Sequence, residues 1–375
     1  TAWHDGQTAA FGVSASSNCV VTLATNMSPS GIIFYPTGGG AYTLAGGGAI
    51  NLTSAVTITA NNNATISASI QGSGSLTLTG TGTLTLTATN TYTGTTTISN
   101  GTLLVNGSLN NSSVAVTASG ALGGSGTIKE PVTVNGILIS GSPVGPLTIN
   151  NNLILTSTAV LAYSLGSNSS SVAVISNLTV AGTLNITDGG GFGMGNYTLF
   201  TYSGTLTNNG ITVGTVPYVY YAYAIDSNSV GQVQLNVSAK YSLGDGIPDW
   251  WRARYFGGDG STTDSFSCAT ADVDGTGMSN LQKFLAGLDP TNSASVFKIT
   301  QPEKLPDGSG FKVTWSSVPG KTYKVLYSDS PGGPWQEDLP DSQITAGTGE
   351  TSLFYTDGTV GASTKRFYKI KLVTP

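Results

Sequence analysis

Short alternations of apolar and polar residues run through the first two thirds of the chain. Ser75-Leu-Thr-Leu-Thr79, Ser113-Val-Ala-Val-Thr117, Pro131-Val-Thr-Val-Asn135, Asn177-Leu-Thr-Val180 and Thr183-Leu-Asn-Ile-Thr187 each put their apolar side chains on one face. A period of two predicts half-buried strands of about four residues. The pattern also recurs at a longer interval. Gly82-Thr-Leu-Thr-Leu is echoed at Gly101-Thr-Leu-Leu-Val and Gly120-Ala-Leu-Gly-Gly, two steps of 19 residues, and at Gly136-Ile-Leu-Ile-Ser after 16. Strands this short form no sheet alone, but coiled at roughly 16–22 residues per turn they stack on one another and bury one face, which is a β-solenoid. A Greek-key sandwich is the alternative, and the short strands count against it. The density of Gly and β-branched residues argues against helix.

The stretch from Gly82 to Ser108 contains Asn90-Thr-Tyr-Thr-Gly94 followed by Gly101-Thr-Leu103. It resembles the autotransporter-associated β-strand repeat, whose hallmark is an Asn-Thr-Tyr-Thr-Gly core followed by Gly-Thr-Leu. Trp3 to Phe11, Gly31-Ile-Ile-Phe34 and Tyr42-Thr-Leu-Ala-Gly46 are similar to the opening of large secreted bacterial repeat proteins of that kind. The resemblance implies a right-handed parallel β-helix displayed outside a bacterial cell. The sequence departs from the autotransporter pattern in showing no C-terminal membrane barrel, so self-transport is not implied.

Charge divides the chain. Of 33 charged residues, residues 1–239 hold five: Asp5, Lys129, Glu130, Asp188 and Asp226. Lyases and glycosidases need clustered carboxylates to move protons or flank a glycosidic bond, and five charges do not furnish them. His4, the sole histidine, reads as a solvated terminal residue. With 14 Lys and Arg, a net charge of −5 and no basic cluster, nucleic acid is excluded as a partner class. No apolar run of about 20 residues predicts a membrane-spanning helix.

Two features of the first piece invite a functional reading. Thr77, Thr79, Thr83, Thr85, Thr87, Thr91, Thr93 and Thr95 to Thr97 would form outward hydroxyl rows that break up after Ser99, a pattern resembling ice-binding solenoids. Thr is also simply a favoured strand residue on an exposed face. In Val216-Pro-Tyr-Val-Tyr-Tyr-Ala-Tyr-Ala-Ile225, one strand would point Tyr218, Tyr220, Tyr221 and Tyr223 to both faces. That fits either a capping layer or a subunit interface, where Tyr is enriched.

Residues 240–295 predict a two-helix junction. Tyr241 to Trp251 and Ala271 to Phe284 share a Gly-hydrophobic-X-Asp/Asn pattern leading into a helix, and with Leu288-Asp-Pro-Thr-Asn292 they resemble thrombospondin type 3 or dockerin-like calcium repeats. Asp272, Asp274, Thr276, the Met278 carbonyl and Asn280 fall at positions 1, 3, 5, 7 and 9 of an EF-hand-like loop, making calcium the candidate cofactor, with Asp245, Asp249 or Asp289 available to complete the set. Position 12, which should chelate with both carboxylate oxygens, is Lys283, and its counterpart in the first loop is Arg252. The competing reading is a metal-free knot around Trp250, Trp251, Tyr255, Phe256, Leu281 and Phe284.

Residues 296–375 alternate again in Phe311 to Trp315, Thr322 to Tyr327, Thr351 to Tyr355 and Arg366 to Leu372, with Gly and Pro turns between. These intervals predict a β-sandwich, and Pro319-Gly-Lys-Thr-Tyr323 resembles fibronectin type III-like modules.

The sequence therefore predicts a mainly β chain: a parallel β-helix over 1–239, a helical junction over 240–295 and a sandwich over 296–375. Cys19 and Cys268 lie on opposite sides of the charge boundary. A stack of roughly ten turns about 50 Å long keeps them out of disulfide reach within one chain unless it folds back, leaving an intersubunit bond or two buried thiols. The expected function is non-enzymatic and structural: an extracellular fibre subunit polymerising head to tail. A monomeric adhesin or carbohydrate-binding module that engages surface polysaccharide is the alternative.

Overall fold

A computed structural model of the chain describes residues 4–12, 18–36, 40–141, 145–167, 171–360 and 365–373. Trp3, part of the opening motif, lies outside them. The chain forms two compact units, Thr1–Ser238 and Ala239–Pro375.

The first unit is a parallel β-solenoid of about eight turns. One face is built from strands Gly31–Phe34, Val56–Ala60, Leu76–Thr79, Thr96–Ile98, Val114–Val116, Val132–Val134 and Leu153–Leu155, each parallel to the next. A second is built from Tyr42–Ala45, Ala64–Ile66, Thr83–Leu86, Gly101–Val105, Gly120–Gly123, Ile137–Gly141 and Val160–Leu165. Strands Thr89–Asn90, Ser108–Leu109, Thr127–Ile128, Thr148–Ile149 and Val172–Val174 form the third. Alternation within each strand sends one set of side chains inward. Leu84, Leu103, Leu122, Leu138, Leu161 and Leu184 therefore stack in a single column, one per coil, and all are fully buried. Each such side chain contributes about 1.5–3 kcal/mol of hydrophobic burial.

The register reproduces the predicted steps and then departs from them. Gly101 pairs with Gly120, 19 residues on, and Ala121 with Ile137, 16 on. Later coils are longer than the expected 16–22 residues: Ile137 pairs with Val160, Val160 with Thr183 and Thr183 with Thr212, steps of 23, 23 and 29. Strands there also outgrow the expected four residues, Val160–Leu165 with six and Leu206–Val213 with eight among them. Leu178–Asp188 turns a corner and serves two faces, with a register shift between Val180 and Gly182, and Gly195–Tyr202 has eight residues. The outward Thr row does break up beyond Ser99: Thr57, Thr77 and Thr97 align, but the positions that follow are Ala115, Thr133, Ile154, Thr179 and Thr207, so Ala115 and Ile154 interrupt the hydroxyls.

Corners are as tight as strands. A Cβ on Gly74 would lie 1.8 Å from the Ser54 carbonyl oxygen, and one on Gly94 would lie 2.4 Å from the Gly74 backbone. Ser54, Gly74 and Gly94 are thus one corner on three successive coils, where backbone touches backbone and no side chain fits. At the far end of the third face Gly195–Tyr202 pairs with Gln232–Ala239 in antiparallel fashion, and Tyr221–Asp226 adds beyond it. The reversal ends the parallel stack on that face.

The second unit begins with two helices, α1 (Asp249–Phe256) and α2 (Asn280–Ala286). Ser279 caps α2 in a reciprocal capping box with Gln282, and Gly287 closes it in the left-handed conformation. Trp251 stacks edge-on against Tyr255 and Phe284 at 5.0 and 5.9 Å between ring centres, and Trp250 meets Phe284 at 6.4 Å. Two three-stranded antiparallel sheets follow. Ile299–Lys304, Phe311–Ser316 and Ser352–Asp357 make one; Gln343–Thr345, Thr322–Ser328 and Phe367–Val373 make the other. Val313, Trp315, Tyr323, Val325 and Ile370 form their common core. Lys321 of the sandwich donates to the Leu285 carbonyl of α2 at 2.9 Å.

Candidate functional site

The Asn-Thr-Tyr-Thr-Gly segment is polar in sequence and buried in the fold. Asn90 is 1% exposed; its Oδ1 accepts from Ile70 N–H at 3.0 Å, and its Nδ2 donates to the carbonyls of Ala88 and Ser108 at 2.9 and 3.1 Å. One side chain thereby joins three coils. Tyr92 and Thr96 are both fully buried, with Tyr92 Oη and Thr96 Oγ1 2.5 Å apart; Thr96 Oγ1 also meets Ser112 Oγ at 2.7 Å, and Ser112 donates to the Gly94 carbonyl at 2.7 Å. Thr96 occupies a column otherwise filled by Leu76, Val114 and Val132, so the hydroxyl chain is what makes a polar residue tolerable there. Burial pushes the Tyr92 phenol up to about 12, outweighing the hydrogen bonds to Thr96 and Ser112.

The four tyrosines singled out in the sequence do come together, though not along one strand. The strand is Tyr221–Asp226, and Tyr218 and Tyr220 lie in the turn before it. Phe192 is the hub. Its ring stacks on Tyr197 at 5.0 Å and on Tyr218 and Tyr223 at 6.3 Å, while Tyr220 stacks on Tyr218 at 5.2 Å and meets Tyr221 edge-on at 4.9 Å. Tyr218 donates to Asp188 Oδ2 at 2.6 Å, and Asp188 Oδ1 accepts from the backbone N–H of Gly190 and Phe192. The Tyr218 hydrogen bond holds the Asp188 carboxyl below its ordinary range, and the same bond raises the Tyr218 phenol. Tyr223 donates to the Tyr218 carbonyl at 2.7 Å, and burial takes its phenol up to about 12. Tyr218, Tyr221 and Tyr223 are half-buried against the solenoid core, while neighbouring Val219 is 55% exposed. The cluster is a folded layer with an open outer side.

In the loop preceding α2, Asp272 accepts from the backbone N–H of Thr276 at 3.0 Å and of Gly277 at 2.7 Å. Asp274 Oδ1 accepts from the Thr276 hydroxyl at 2.7 Å, and its Oδ2 meets Lys283 Nζ at 2.6 Å. Lys283 is 1% exposed and donates also to the Ser295 carbonyl at 2.6 Å. Asn280 turns its Nδ2 to the carbonyls of Phe266 and Cys268. Burial alone would raise the Asp274 carboxyl; hydrogen bonds from Lys283 and Thr276 outweigh it and hold the group below its usual range. The first loop behaves alike. Arg252, 1% exposed, pairs with Asp245 Oδ2 and donates to the carbonyls of Ile247 at 3.0 Å and Ser267 at 3.2 Å. Asp249 accepts from the Ser242 backbone and hydroxyl, and Asp289 from Thr291. Among the described residues no three His, Cys, Asp or Glu side chains gather as a metal-binding group.

Residues 76–105 match the passenger-associated-transport-repeat model. This is the coil pair that carries Asn90, Tyr92 and Thr96. Over 114 residues, 28% of this chain, the sequence is 39% identical to the adhesin BmaC autotransporter of Brucella suis biovar 1 (strain 1330). The chain spans 3% of that protein's length. Residues 76–105 of the solenoid are therefore similar to an autotransporter-associated repeat, as the Asn-Thr-Tyr-Thr-Gly resemblance implied.

The remaining candidates are separate. Cys19 is half-buried against the solenoid core and opposite Tyr42, whereas Cys268 belongs to the second unit, its thiol 3.7 Å from Thr270 Oγ1. Both are free and half-exposed. His4 is exposed. Sequence reasoning missed two functional arrangements. The Asp188 bond to Tyr218 spans 30 residues, and its one legible trace is a rare charge in a neutral segment. The capture of loop oxygens by Lys283 and Arg252 was visible only as two cations at a chelator's position.

Proposed function

We propose that the chain is a non-enzymatic, adhesin-like passenger segment displayed at a bacterial cell surface. The observation that carries this reading is the match over residues 76–105, which falls on a coil whose buried Asn90 and Tyr92 networks tie the stack together. Similarity to an autotransporter adhesin supports it. The charges of the solenoid support the non-enzymatic part: Asp188 is committed to Tyr218 and two backbone groups. No helix among the described residues is long and apolar enough to cross a membrane. The partner class suited to neutral rows of Thr, Ser and Asn is a neutral surface polysaccharide, which such groups engage by hydrogen bonds. Beads coated with the full chain should be retained several-fold more than albumin-coated beads on polysaccharide-coated glass. Equal retention on both that surface and a cell monolayer would remove the adhesive reading.

A second reading, a fibre subunit, draws on one feature. Among the described residues strand Cys19–Thr22 is hydrogen-bonded on one side, to Tyr42–Ala45, and Val20 is 64% exposed. An open strand edge can accept another chain. Electron microscopy of the purified chain tests this: ordered filaments support it, and dispersed single particles at high concentration exclude it.

A further inference from the structure

The calcium-repeat resemblance would place a divalent ion in the loops before α1 and α2, and the arrangement of their side chains does not fit one. In twelve-residue numbering the loops are 241–252 and 272–283, and each ends in a basic residue where a carboxylate should close the coordination shell. Those two residues are not simply missing ligands. Arg252 and Lys283 are each 1% exposed, in a molecule whose other charges are mostly at the surface, and each reaches back into its own loop. Arg252 takes Asp245 at position 5 and the Ile247 carbonyl at position 7. Lys283 takes Asp274 at position 3. Positions 3, 5 and 7 are the places from which an ion would draw oxygen.

We infer that the two loops carry their own cations, the Arg252 guanidinium and the Lys283 ammonium standing where a divalent ion would sit, so that the helix pair folds without calcium. The physical logic is charge balance. A buried carboxylate needs a positive partner and donors for its oxygens. A bound ion supplies these only while its concentration holds, whereas a side chain supplies them at fixed stoichiometry. The guanidinium suits the first loop because its planar fork spans a carboxylate and a carbonyl together. The ammonium suits the second because its donors diverge, one to Asp274 and one to Ser295, which also ties the loop to the segment after α2.

The test uses the full chain and calcium alone as probe. Isothermal titration, carried beyond the roughly millimolar range in which extracellular modules bind, should give no saturable uptake, and the melting temperature should be the same in calcium and in EDTA. Saturable uptake with a rise in melting temperature overturns the inference. Lys283→Met should lower the melting temperature of the second unit by several degrees; an unchanged value also overturns it, because the ammonium would then be dispensable. Lys283→Glu restores a carboxylate at position 12 and should bind one calcium, with a melting temperature several degrees higher in calcium than in EDTA. If this variant folds and ignores calcium, the ammonium does not stand in an ion's place. If it fails to fold, the titration of the unaltered chain and the Lys283→Met comparison decide.

Discussion

Asn90 serves three backbone groups at once, one on the coil below, one on its own and one on the coil above. A net hydrogen bond contributes about 0.5–1.5 kcal/mol, and a buried group left without a partner costs about 1–3 kcal/mol. Asn90→Ala should therefore destabilise the solenoid by about 3 kcal/mol, read as a lower urea midpoint. Asn90→Asp should do at least as much harm at neutral pH, because it keeps the acceptor and turns a carboxylate oxygen toward two carbonyls. Tyr92 makes a second prediction through pH. Its folded-state value of about 12 lies above the ordinary phenol value of 10.0. Below pH 10 both states hold the proton and stability is flat. Above pH 10 the unfolded chain releases the proton and the folded one does not, so stability falls as pH rises toward 12. Buried Tyr163, which donates to the Leu199 carbonyl and is also shifted upward, adds to the same slope. A urea midpoint that stays level from pH 9 to 12 would contradict this assignment.

At the scale of the element, the coil is limited by its corners. Gly94→Ala would press a methyl group onto the Gly74 backbone, 2.4 Å away, and should cost about 1–3 kcal/mol. Gly47→Ala is the matched control: it meets nothing within 4 Å and should be close to neutral. The short strands and the 19, 19 and 16 residue steps were legible in the sequence because inward Leu, Val and Ile must recur once per coil. The long late coils were not, because residues added at a corner leave the inward column unchanged and so leave no trace in the hydrophobic period. The tyrosine segment shows the same limit. Its composition announced a burial-rich layer, but Phe192, which organises it, sits in a Gly-rich stretch with no periodicity. For the loops, spacing identified the positions and could not say whether a basic residue points away or inward; Lys283 and Arg252 point inward.

Across the whole molecule, charge separates what acid and alkali can do. Asp274 and Asp357 are both held below the ordinary carboxylate range. In each case burial acts against the shift and hydrogen bonds outweigh it, from Lys283 and Thr276 for the first and from Thr359 and Arg366 for the second. Their contribution is full above the unfolded carboxyl range near 4 and is lost as pH falls through the lower folded values. The solenoid has almost no such groups. Acidification below about pH 4 should therefore unfold the second unit first. Trp250, Trp251, Trp315 and Trp335, four of the chain's five tryptophans, lie in that unit. Tryptophan fluorescence should accordingly change at a higher pH than the β-signal of far-ultraviolet circular dichroism, and coincident transitions would refute the division. Coil length has a consequence for how this protein can vary. A coil of 16 residues and a coil of 29 each add one layer of about 4.8 Å. Reach is thus set by the number of coils, and every residue beyond the minimum is spent sideways at a corner. A lineage of such chains can enlarge or reshape the surface it presents at one height without moving anything above or below it.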